Sequence, residues 1–177
     1  NECERYGYDF VTGGFLDRIG TNGNFPKVTR ETNIHEAFPY AGFFRYPMSG
    51  ACPNKVTLMK GHQEITSGQH YAKFKDNTNS WGTEHPKRMP INDCFVQVHH
   101  FKWDETCIER IKKVADIKKD YSYSEEYEIM YNAIKDSGWK IDIQNPTYKV
   151  EKLKEFSYIK YNDYTQWSVL RNKIVLI

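Results

Sequence analysis

The chain contains no Cys-x-x-Cys pair and no apolar run long enough to cross a bilayer, and its opening residues do not read as a signal peptide. A membrane span needs roughly 18 or more consecutive apolar residues, so none is expected. Cys3, Cys52, Cys94 and Cys107 are scattered over 177 residues, which is not a disulfide framework, and no close Cys/His spacing suggests a structural zinc site. Reduced thiols are the expectation, and with them a cytoplasmic setting. Charge of one sign is also lacking: 25 Lys and Arg stand against 23 Asp and Glu, a net +2. The small clusters Lys112-Lys113, Lys118-Lys119 and Lys152 to Lys154 do not make a concentrated basic face, which argues against nucleic acid as a partner. Internal repeats and low-complexity tracts are missing too. An initiator Met is absent, and Asn1 to Gly7 reads like the last turn of a helix closed by Gly7. The expectation is a single or partial domain over 1–177, a piece of a longer polypeptide.

Aromatic residues are abundant, at 15% with thirteen tyrosines and four tryptophans. Rings with an apolar body and a polar rim suit carbohydrate binding and ordinary cores alike. Tyr8 to Phe15 reads as a strand running through Gly13-Gly14 and extending to Ile19, the glycines permitting a bulge or a close backbone approach. Asn22-Gly23 marks a turn. Residues 24–53 carry four prolines and read as an ordered, irregular aromatic loop with a short helix near Ile34 to Phe38. Lys55 to Lys60 is predicted as a strand, with Gln63 to Thr66 as its hairpin partner. Residues 75–93 read as a polar surface loop, and His62 and His85 as surface residues in turns. Helices are predicted at about 104–118, capped by Asp104, and 123–137, with a Ser122/Glu125 capping box. Trp139 to Ile143 is predicted as a short strand. The fold class is therefore α/β, a mixed sheet with flanking helices.

Between the loop and the first long helix, Val96-Gln97-Val98-His99-His100-Phe101-Lys102-Trp103 delivers two imidazoles, an ammonium and an indole to one strand end. Alternation puts Val96, Val98, His100 and Lys102 on one face and Gln97, His99, Phe101 and Trp103 on the other. An imidazole and an ammonium on one face suit a metal ion or a phosphorylated ligand. The plain alternative is a core histidine beside a solvated lysine. Adjacent histidines face opposite ways, which disfavours a hydrolase or nuclease chelating one ion with His99 and His100 together.

Three stretches in this order resemble the C-terminal half of bacterial family 2-like nucleotide-sugar glycosyltransferases. They are Gly13-Gly14-Phe15-Leu16-Asp17-Arg18-Ile19 with Asn22-Gly23 and Phe25-Pro26; then Phe38-Pro39, Asn54-Lys55-Val56 and Gly68-Gln69-His70; then His99-His100-Phe101-Lys102-Trp103 with Glu109-Arg110. The resemblance covers about Tyr8 to Ile143. It implies the acceptor-side part of a GT-A fold (nucleotide-diphospho-sugar transferase), acting in cell-surface polysaccharide assembly with a nucleotide sugar and a glycan acceptor as partners. The Asp-x-Asp metal motif that such enzymes carry is absent here, so the nucleotide-binding half would lie upstream of Asn1, and the isolated fragment would be inactive alone.

Carried over residue by residue, the resemblance matches His100 to a histidine near the donor metal and diphosphate. The implied cofactor is a divalent metal, Mn²⁺ or Mg²⁺, shared with residues outside this chain. Lys102 would neutralise the departing diphosphate. Trp103 would stack on a sugar ring, or else plug the sheet edge. Asp17 and Arg18 would recognise acceptor hydroxyls, Asp17 as a candidate general base; their structural alternative is an ion pair closing a turn. His70 is the second catalytic candidate, its structural alternative a histidine that caps a helix or strand, and Glu64 is a carboxylate that the sequence does not rank against Asp17. The expectation is that Asp17, His70, His100 and Lys102 converge on one cleft. The rival reading is a non-catalytic carbohydrate- or partner-binding module with a shallow aromatic platform.

Overall fold

A computed structural model describes residues 2–61, 64–73, 87–90, 96–117 and 123–153. The readings of His62, His85, the 75–93 loop (apart from 87–90) and the Ser122 capping box fall outside them. The chain divides into two compact units, one drawing on residues 1–15 and 52–98, the other on 16–51 and 99–158.

In the first unit, helix α1 (Glu2–Arg5) ends at Gly7, whose φ of 74° is the left-handed stop expected there. Strand β1 (Phe10–Ile19) is buried along its whole length. Its first half pairs antiparallel with β3 (Asn54–Met59), with a register shift between Val11 and Thr12. A Cβ at Gly13 would stand 2.4 Å from the carbonyl oxygen of Val96, the close backbone approach that the glycine pair suggested. Strand β4 (Glu64–Ile65) does not continue a hairpin with β3; it pairs with β5 (Ala72–Lys73) in a sheet of its own. The reversal lies in the 3₁₀ turn Ser67–Gln69, where Gly68 and Gln69 both have positive φ and turn the chain back on β4.

In the second unit, the last residues of β1 pair antiparallel with β2 (Tyr40–Gly42), which pairs in turn with β7 (Glu151–Lys152). The expectation of irregular structure over 24–53 is corrected here. It holds β2 and two short helices, α2 (Ile34–Ala37) where a helix was predicted and α3 (Arg45–Ser49) where none was. The prolines flank these elements or sit inside the first turn of α3, where a missing N–H costs nothing.

Strand β6 (Val96–His100) pairs with β1. Helices α4 (Cys107–Asp116) and α5 (Ser124–Asp136) follow. Cys107, Ile111 and Ala115 on α4 and Met130 and Ile134 on α5 are buried, the stripes that the 3.6-residue period predicted. With Ile19, Phe44, Trp103 and Ile141, all of these but Ala115 form one apolar core. Asp104 does not cap α4 as predicted. Its carboxylate accepts from Thr106 N at 2.9 Å and Thr106 Oγ1 at 2.7 Å, an Asx-type turn that leads into the helix at Cys107, with Thr106 at the N-cap. Trp139 to Ile143 is not a strand either. Trp139 has φ of 63°, and Ile141 N donates to Gly23 O at 2.9 Å, which pins the segment as an irregular connection.

Candidate functional site

The strand end singled out in the sequence sits in the second unit and is organised around Asp17. This carboxylate is 1% exposed and accepts three hydrogen bonds. His100 Nδ1 donates to Oδ1 at 2.9 Å, Trp103 Nε1 to the same oxygen at 3.0 Å, and the backbone N–H of Arg45 to Oδ2 at 3.2 Å. Burial by itself would raise the Asp17 pKa. The hydrogen bonds from His100 and Trp103 and the charges of His100 and Arg45 outweigh it and hold the carboxyl below the usual carboxylate range. An ionised carboxylate only accepts, so the His100 proton sits on Nδ1, and in the neutral ring Nε2 carries the lone pair.

Why both rings reach one oxygen follows from where β6 stops. Alternation predicted Trp103 on the face opposite His100. The strand ends at His100, the chain turns through 101–103, and the indole swings to the His100 side. There it is fully buried and packs against Phe44 at 5.1 Å between ring centroids. Of the two readings of Trp103, its position is that of the core plug.

Arg18, one residue from Asp17, projects to the other face of β1. Nε and one terminal nitrogen donate to Phe38 O at 3.1 and 2.6 Å, and the second terminal nitrogen lies 3.1 Å from His99 Nδ1. The guanidinium also stands 5.4 Å from the centre of the Phe101 ring. A guanidinium cannot accept, so His99 Nδ1 is the acceptor and the ring is neutral. Burial, then Arg18 and His35, push the His99 pKa down in agreement. Asp17 and Arg18 therefore form no ion pair across a turn: successive strand residues point apart. His99 and His100 likewise go to different partners.

Lys102 lies between Trp103 and Tyr127. Its Nζ is 5.3 and 4.8 Å from the two ring centres and donates to the Tyr127 hydroxyl at 3.4 Å. Burial, and after it the charge of Arg45, lower its pKa to about 7, although Asp17 pulls the other way. The two π faces return part of the lost hydration to the cation. Glu126 on α5 completes the group. Burial raises its pKa against the opposing pull of Arg45 and Lys102. Arg45 thus acts on Asp17, Lys102 and Glu126 together, the positive centre of a mostly buried cluster.

The sequence reading missed Arg45, Glu126 and Tyr127. Arg45 stands in Phe43-Phe44-Arg45-Tyr46, and a charge inside an aromatic run was the available signal. Glu126 and Tyr127 read as ordinary helix residues, and only the packing of α5 on α3 brings them in. His70 belongs to the other unit. Its Nδ1 lies 2.7 Å from Asn54 O, and Asn54 Nδ2 donates to His70 O at 2.7 Å, a reciprocal bracket that ties the 66–71 turn to β3. Glu64 pairs opposite Lys73 in the β4–β5 ladder of that unit.

No group of three or more metal-binding side chains occurs among the described residues. No described helix is long and apolar enough to cross a membrane. No protein-family model, curated protein or solved structure matches the chain.

Proposed function

We propose that this chain serves glycosyl transfer from a nucleotide sugar to a glycan acceptor in cell-surface polysaccharide assembly, as the acceptor-side part of a GT-A fold. The nucleotide-binding half would be supplied by residues outside 1–177. The observation that carries the reading is the carboxylate-held imidazole of His100 with Arg45 and Lys102 gathered around the same carboxylate. A histidine that ligates a metal characteristically donates its other ring N–H to a carboxylate, and His100 does so.

In this reading His100 would hold a divalent ion, Mn²⁺ or Mg²⁺, through Nε2, together with ligands beyond the described residues, and such an ion would supply positive charge to the diphosphate leaving group. Asp17 is a positioning residue: its three donors occupy it, and it fixes the tautomer and direction of the His100 ring. Arg45 is a permanent cation. Lys102, with a pKa of about 7, takes up a proton as an anion approaches, so the site gains charge with its ligand. Trp103 holds Asp17 in place through its indole N–H, and Arg18 braces the strand from its other face.

The test is calorimetric titration of UDP-sugars, with and without Mn²⁺, into the protein as the cell makes it. The expected result is binding that needs the metal, lost in His100→Ala and about 10–100-fold weaker in metal affinity in Asp17→Asn. Metal-independent glycan binding without any nucleotide-sugar binding would replace this reading with the non-catalytic carbohydrate module.

A further inference from the structure

An open pocket of about 690 Å³ lies in the second unit, along the β2–β7 ladder. Its size falls in the range of small-molecule sites, roughly 300–1,000 Å³. The pocket is not the Asp17 cluster. Its lining shares no residue with that cluster, and its wall is the 35–40 segment, held by the two Arg18 bonds to Phe38 O. Tyr40 and Lys152 are directly opposite across the ladder, so phenol and ammonium stand side by side on one face. Leu153 N donates to Pro39 O at 2.8 Å, which sets the pocket's two apolar walls at a fixed separation.

The polar groups are of mixed character. Glu36 offers a carboxylate whose Oε1 is steadied by Asn33 Nδ2 at 2.9 Å. Lys152 offers an ammonium, Thr21 and Tyr40 hydroxyls, and His35 an imidazole set edge-on to Phe101. One negative and one positive side chain leave no net field to select a charged ligand. Donors and acceptors spread around apolar walls match a molecule with hydroxyls at its rim and C–H faces between them. An open pocket suits a chain that continues beyond it.

We infer that this pocket holds a short uncharged glycan, by contacts that need neither metal nor nucleotide. Hydroxyls would donate to Glu36, accept from Lys152 and exchange bonds with Thr21, while a sugar face lies on Tyr40.

The experiment is saturation-transfer NMR on the protein in EDTA, without nucleotide. The probes are cellobiose, maltose and N,N′-diacetylchitobiose at millimolar concentration, with the dipeptide glycyl-leucine as the charged comparison. The expected result is transfer to the ring C–H protons of at least one disaccharide. Glu36→Ala and Lys152→Met, both at exposed positions, should each weaken binding about tenfold, as loss of one hydrogen bond to a charged group does. No transfer to any disaccharide, transfer unchanged in both variants, or transfer to the dipeptide equal to that of the sugars would overturn the inference. Since no metal or nucleotide sugar is present, the outcome is independent of whether the chain serves sugar transfer.

Discussion

His100 Nδ1 and Asp17 Oδ1 are 2.9 Å apart, joining a half-buried imidazole on β6 to a carboxylate with 1% exposure on β1. The bond spans 83 positions of sequence, and it locks β6 to β1 where the chain leaves the strand. It also decides which nitrogen of His100 is available for chemistry. The same carboxylate therefore carries a stability prediction and, in the proposed function, the orientation of His100.

Asp17→Asn should cost about 2–4 kcal/mol in urea unfolding at neutral pH, because the amide NH₂ would face the Arg45 backbone N–H while the charge-assisted bonds are lost. The folded carboxyl binds its proton less tightly than the unfolded one, so its stabilisation is complete above about pH 4 and falls away as pH drops through the folded value. The variant should flatten that acid limb. A loss below about 0.5 kcal/mol with an unchanged acid limb would contradict the assignment.

Lys102 has the opposite pH signature. Its folded pKa of about 7 lies below the unfolded value of about 10.4, so between these the unfolded chain holds a proton that the folded one has shed. Stability from this group rises with pH across that window. Lys102→Met should therefore stabilise the protein at about pH 6, with the advantage shrinking toward about pH 10. Paired melting curves at the two pH values measure it, and a constant difference would show that the ammonium is not desolvated.

Gly23 tests backbone packing. It has φ of 78°, and a Cβ there would fall 1.9 Å from the carbonyl oxygen of Ile141. Gly50 has a similar φ of 72° but open space around it. Gly50→Ala should cost about 1 kcal/mol, the conformational penalty alone. Gly23→Ala should cost at least about 2 kcal/mol more, since backbone must move as well. Equal losses by chemical denaturation would mean that the contact with residue 141 yields freely.

Cys107 is fully buried in the core, and burial pushes its thiol pKa up to about 12. It should resist Ellman's reagent at about pH 8 in the folded protein and react on unfolding in guanidinium. Peptide mapping after alkylation distinguishes it from the other cysteines, and rapid native-state labelling would show that the core opens locally.

The sequence by itself determined what periodicity and local stereochemistry control. The apolar stripes of α4 and α5 lay at helical spacing, Gly7 and Asn22-Gly23 marked turns, and the Gly13-Gly14 pair announced a close backbone approach. His99 and His100 were assigned to opposite faces because adjacent strand residues always are. Tertiary structure decided the rest. Trp103 changed sides because β6 ends at His100, a boundary set by pairing with β1 and not by any residue preference. Residues 64–65 chose β5 over β3 because a left-handed turn at Gly68 and Gln69 brought a nearer partner. Arg45 reached Asp17 from α3 through its backbone N–H, and Glu126 joined the cluster only through the packing of α5 on α3. A charge finds its partners through contacts distant in sequence, and no local pattern encodes those.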